Sequence, residues 1–249
     1  ATGNIVKAAM NFNDNIAADT QGLGVSDYSS VITLLNNSDD FKFNVVSAPG
    51  IVDNHHGATV DSLIDLAENR GDCIAVVDLY AHGASVANVT GQADTLNSSY
   101  AAAYWPWLQT DSATGKNVWA PASAFIPGVY AFTDGANAPW FAPAGLVRGG
   151  LAGVIQAERR LSRVQRDSLY DAKVNPIASF PGTGIAVFGQ KTLQTKSSAL
   201  DRVNVRRLLI DLKEFIGNQA QNLVFEQNTV NTRNKFLAAV NPYLDSVVQ

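Results

Sequence analysis

The sequence predicts an α/β fold, a mixed, partly parallel β-sheet flanked by helices in a single domain. Three observations predict it. Helix-like and strand-like segments alternate over residues 25–80 at the spacing of a βαβ unit. FKFNVVSAPG reads as a buried strand, and DCIAVVDLY shows too little polar alternation for a sheet wetted on one face. A second block, helix–strand–helix, occupies residues 150–249. With 249 residues, 46% hydrophobic and 16% charged, the chain can bury a full core, and its composition disfavours disorder. Its apolar runs are broken well short of the ~20 residues that span a bilayer, so no membrane insertion is expected.

Taken in order, residues 1–24 are rich in Asn, Asp, Gly and Ala without periodicity, and read as an arm or loop. VSDYSSVITLL is a helix, started by Ser26 or Asp27 and stopped at Asn36–Asn37. The strand FKFNVVSAPG should end in a turn at Pro49–Gly50. GATVDSLIDLAENRG is a helix with Thr59 as its cap and Gly71 as its stop. DCIAVVDLY follows as a buried strand and completes the 25–80 core; its Cys73, the one cysteine, is expected to be a buried thiol. Residues 81–149 read as an excursion. They hold a small, polar stretch, then two extended aromatic stretches joined by a turn at DSATGKN, then a short helix near Ala122–Phe132 and a loop.

From Gly150 the spacing suggests a helix to about Val174, with an extended start at LAGVI, Leu161, Val164 and Leu169 inward, and Asn175–Pro176 as its end. IASFPGTG is a loop and GIAVFG a strand. The helix over Val203–Ile216 carries Val205, Leu208, Leu209, Leu212, Phe215 and Ile216 on one stripe, with Gly217 as its stop. A connector, LVFEQN, leads to a last helix that Asn241–Pro242 could interrupt.

Charge is divided unevenly. Residues 1–144 hold 14 acidic and 4 basic side chains, residues 145–249 hold 8 and 14. The basic side chains gather in Arg148, Arg159, Arg160, Arg163, Arg166, Lys173, Arg202, Arg206 and Arg207. Glu158, Asp167, Asp171 and Asp201 are interleaved with them, which argues against a nucleic-acid partner. Arginine is enriched where proteins meet proteins, so Arg148, Arg159, Arg160, Arg163, Arg166, Arg206 and Arg207 form the candidate contact surface between copies.

Candidate chemistry is thin. His55–His56 are adjacent and make a poor chelate, so no metal is expected. GIAVFGQKT spaces Gly184 and Gly189 as a phosphate loop would, but Gln190 delays Lys191 by one residue and the intervening residues build a strand, so no cofactor is expected. A competing reading is a small α/β enzyme with a site near Asp78 and His82, since α/β enzymes place functional groups at the C-terminal ends of parallel strands.

Five motifs then occur in order: GVYAFTDGANAPWFAPAG, QRDSLYDAKVNPI, GIAVFGQKTL, DRVNVRRLL and LVFEQNTVNTRNKF. Together they resemble the conserved domain of contractile tail sheath proteins of myoviruses. The resemblance implies a structural, non-enzymatic protein that polymerises as stacked hexameric rings around an inner tail tube and contracts to drive that tube through a target cell envelope. It implies baseplate and tail terminator proteins as further partners, and a place in the phage tail of the virion, assembled in the host cytoplasm. It implies that residues 1–249 are one sheath-like domain. Sheath chains extend further at both ends, so the terminal arms that add strands to neighbouring sheets are expected to be lacking here.

Overall fold

A computed structural model describes residues 24–182 and 184–248; the arm or loop expected over residues 1–24 lies almost wholly outside the described residues. The centre is a five-stranded sheet. Its strands are β1 (Val45–Val52), β2 (Ile74–Asp78), β3 (Ala101–Trp105), β7 (Val174–Phe180) and β8 (Gly184–Val187), in that spatial order. The first four are parallel and β8 returns antiparallel to β7. A smaller antiparallel sheet joins β5 (Asn117–Ala120), β4 (Leu108–Asp111) and β6 (Val154–Ala157).

The first half follows the expected pattern with local corrections. Helix α1 (Val25–Leu35) begins where the Asp27 carboxylate accepts the Gly24 N–H at 2.7 Å, and ends at Asn36. Pro49–Gly50 does not end β1. The strand passes through it as an irregularity between Ser47 and Val52, with Gly50 at φ 95, which an edge strand tolerates. Helix α2 (Asp53–Arg70) starts earlier than expected and breaks at His56, so Thr59 is a buried interior residue rather than a cap. Its end is as expected: Gly71, at φ 65, donates its N–H to the Ala67 carbonyl. β2 is buried along its whole length, with Cys73 fully buried beside it.

The stretch read as an excursion contributes a helix and the central strand. Helix α3 (Val86–Ala93) is capped by Ser85, whose hydroxyl accepts the Asn88 N–H. AAAYW is β3, wholly buried between β2 and β7. Alanine has little strand preference, but it suits a strand closed in by helices on both faces. The DSATGKN turn between β4 and β5 is as expected, and helix α4 (Ile126–Ala136) follows a 3-10 turn at Ala122–Ala124. A one-turn helix, α5, spans Gly145–Arg148.

The extended start expected at LAGVI becomes β6, set later along the chain, and the helix expected to run to Val174 is only nine residues long, α6 (Arg163–Asp171). Ser162 and Gln165 cap α6 reciprocally, which fixes its late start. Leu161 and Leu169 are buried as expected; Val164 is 74% exposed. Asn175–Pro176 lies inside β7, not at a helix end. The Asn175 amide donates to the Ala103 and Lys191 carbonyls and accepts from the Lys191 N–H, so the side chain ties two segments to the sheet. Helix α7 (Val203–Gln221) continues through Gly217, and α8 (Val230–Val248) through Pro242.

Helices α2, α3 and α6 cover one face of the main sheet around Leu63, Ala67, Val89 and Leu169. Helices α4 and α7 cover the other around Ile126, Tyr130, Val203 and Ile210. Gly149 joins α5 to the outer side of β8, where its carbonyl accepts the Val187 N–H at 2.8 Å. A Cβ there would sit 2.6 Å from the Val187 carbonyl oxygen and 2.8 Å from that of Gly145, both backbone. Gly149→Ala is therefore expected to lower stability by about 2 kcal/mol, roughly 4–8 °C in Tm. Gly135→Ala, at a helical position with open space around it, should be neutral or stabilising in the same melt. Equal melting temperatures for the two variants would contradict the packing argument.

Candidate inter-subunit surface

The seven arginines separate into three environments. Arg159 and Arg160 follow β6 and are exposed; one guanidinium nitrogen of Arg159 donates to the Gly83 carbonyl at 3.3 Å. Arg163 opens α6 with its side chain 88% exposed, and lies 3.9 Å from Asp167 one turn on. These three are free to meet another protein.

Arg148 and Arg166 are half-buried. Arg148 donates to the Ala142 carbonyl and lies over the Phe141 ring. Arg166 lies over Phe180 and Phe188 and donates to the Leu161 carbonyl. Their stems lie on apolar surface, and their heads hold loop ends in place.

Arg206 and Arg207 are a correction. They are 6% and 3% exposed, and their partners are internal. Arg206 donates to the carbonyl and hydroxyl of Ser99 and lies 3.9 Å from the Tyr100 ring centre. Arg207 pairs with Asp134 at 2.5 Å and lies over Tyr130, whose hydroxyl shares a 2.7 Å hydrogen bond with that of Tyr104. Neither can reach a neighbour without unfolding α7. The signal was available in the spacing: residues 203, 206, 207 and 210 recur at helical intervals, and the buried residues of α7 are Val203, Arg206, Arg207 and Ile210. The expected stripe lies beside them, half-buried, with Leu209 41% exposed and Phe215 stacked on Tyr243 of α8.

The alternative site near Asp78 and His82 does not assemble. Asp78 is 3% exposed at the end of β2, with one carboxylate oxygen accepting the Ser123 hydroxyl and the other its N–H. Burial pushes its carboxyl up to about 7, against the opposing pull of the Ser123 and Gly50 hydrogen bonds. His82 is exposed and lies against Trp107 and Trp119 on the small sheet. Lys191 is likewise occupied: its ammonium donates to the Tyr170 carbonyl, and its N–H goes to Asn175. Burial pushes the Cys73 thiol up to about 12, which leaves it unreactive. Among the described residues no cluster of three or more His, Cys, Asp or Glu could hold a metal ion, and no helix is long and apolar enough to cross a membrane.

The arrangement is one of structural contacts: internal arginines that fix helices to the sheet, and external ones that present charge. Residues 21–193 match the family profile described as phage tail sheath protein central domain. The tail sheath protein of Vibrio phage KVP40 is 36% identical over 183 residues, which cover 72% of this chain and 27% of that one. The tail sheath protein of Enterobacteria phage T4 is 38% identical over 136 residues, 55% of this chain and 21% of that one. Among solved structures, the sheath complex of the PVC extracellular contractile injection system in its contracted state superposes with a TM-score of 0.72 at 27% identity, covering 91% of this chain and 60% of that chain. The contracted helical sheath of the anti-feeding prophage gives 0.69 at 26% identity, covering 90% and 60%. The chain therefore spans only about a quarter of those phage relatives and three-fifths of those solved chains.

Proposed function

The chain belongs to the phage tail sheath protein central-domain family, and from that premise we propose that it is a structural subunit of a contractile tail sheath, not an enzyme. Copies stack as hexameric rings around an inner tail tube, between a baseplate and a tail terminator, and contract to drive the tube through the target cell envelope. Its place is the tail of the virion. Residues 1–249 act as one domain, a reading supported by a main sheet that draws strands from residues 45–187. The observation that carries the proposal is the family match over residues 21–193.

Arg159, Arg160 and Arg163 of one copy meet the acidic first half of another. An exposed pair contributes only about 0.2–1 kcal/mol, but a lattice repeats each pair in every subunit. Electron microscopy of the full-length protein should show tubes or striated polymers; a monodisperse small species would count against a sheath. With Arg159→Glu, Arg160→Glu and Arg163→Glu combined, polymers should dissolve at lower salt than those of the parent. Equal salt resistance would remove these three residues from the interface and leave the sheath reading in place.

A further inference from the structure

At one corner of the domain an apolar groove of about 670 Å³ opens between α4, α5, β6 and β8. Phe125, Phe132, Val147, Ile155 and Ile185 wall it, and Gly128 is part of its lining. Phe132 is 57%, Val147 83% and Ile155 51% exposed. Gly128 sits in a helix, and a Cβ on it would meet nothing within 4 Å.

A matching protrusion lies elsewhere on the same chain. Between α7 and α8, Val224 is 57% exposed and Phe225 103% exposed, with Phe225 held at φ 73. The contacts of α7 locate this tip. Arg206 meets Ser99 just ahead of β3, Lys213 meets the carbonyls of Arg70 and Gly71 just ahead of β2, and the last turns lie beside Lys42 and Phe43 ahead of β1. The tip therefore projects past the β1 edge, at the N-terminal ends of the parallel strands. The groove lies beside Gly184 and Ile185, where β8 begins opposite Phe180 at the far end of β7. Knob and groove thus occupy opposite edges and opposite ends of the sheet. They cannot meet within one chain, and between copies they join head to tail, a heterologous contact that propagates. Charge agrees: Glu226 follows the knob, while Arg148 adjoins Val147 in the groove wall.

We propose that the Val224–Phe225 tip of one copy seats in the groove between α4, α5, β6 and β8 of a second copy. The proposal rests on the sheath reading and deepens it by naming one directional contact.

Two variants test it without threatening the fold. Phe225→Asn removes an exposed ring and puts a residue tolerant of positive φ in its place. Gly128→Leu adds a side chain to the groove lining, where a Cβ meets nothing within 4 Å and leucine is the better helix former. Each should raise the protein concentration needed for polymers about tenfold, the loss of a single buried aromatic anchor. Separately, Phe225→Cys combined with Val147→Cys should give a ladder of covalent oligomers on oxidation, with Cys73 silent because it is fully buried. Phe225→Cys with Val164→Cys, exposed but outside the groove, should give none. Polymers formed at the parent concentration by both single variants, with no ladder, overturn the contact and leave the sheath reading standing. A ladder without polymers supports the contact and counts against the sheath reading; neither ladder nor polymers overturns both.

Discussion

Between about pH 4 and about pH 7 the folded protein is expected to lose as much as roughly 4 kcal/mol of stability through Asp78 alone. The folded carboxyl titrates near 7, against about 3.9 in an unfolded chain. The folded state therefore holds a proton that the unfolded state has already released. That contribution is fully present below the unfolded value and is lost as pH rises through the folded one. Burial is the cause, and the two Ser123 hydrogen bonds offset only part of it. Asp78→Asn keeps the shape and an acceptor for Ser123 but cannot ionise. Urea unfolding of parent and variant at about pH 5 and about pH 8 isolates the effect. Asp53, also pushed up by burial, contributes the same sign to both proteins and cancels in the comparison. The same pH slope in both proteins would clear Asp78 of the role.

Replacing Arg207 by leucine should cost about 3 kcal/mol, roughly 6–12 °C in Tm. The side chain of Arg207 is 3% exposed, and its loss strands the Asp134 carboxylate against the aromatic pair Tyr104 and Tyr130. Asp134 keeps 27% of its side-chain exposure, which places the cost at the low end of that for breaking a buried pair. Combining Arg207→Leu with Asp134→Leu removes the stranded charge, and the double variant should recover much of the loss. A double-mutant cycle reads this directly. Additive losses, or a single-variant cost comparable to an exposed pair, would place Arg207 outside the core.

The same residue shows what the sequence made legible. The helix–strand–helix–strand opening, the hairpin turn at DSATGKN and the strand GIAVFG could be read because apolar period and turn residues agreed there. β3 was legible as an extended stretch but not as the centre of the main sheet, because AAAYW owes that place to burial between two neighbours, a tertiary effect with no local signature. The helix expected to run to Val174 fell short for a similar reason: β6 exists because β4 lies beside it. On the candidate surface, Arg159, Arg160 and Arg163 are as exposed as charge alone implies. Arg206 and Arg207 look identical to them in composition and differ only in sharing a face with Val203 and Ile210.

The direction of the strands carries a mechanical consequence. β1, β2, β3 and β7 all point one way, and α7 crosses their beginnings, fastened ahead of β3 and β2 by Arg206 and Lys213. A pull along the strands loads the backbone ladder in shear, with many bonds sharing the force at once. A pull across them peels strands singly. The domain is therefore expected to be stiffer along the strands than across them, and on the β8 side a crosswise pull must first part the few bonds that join β8 to the Gly149–Leu151 segment.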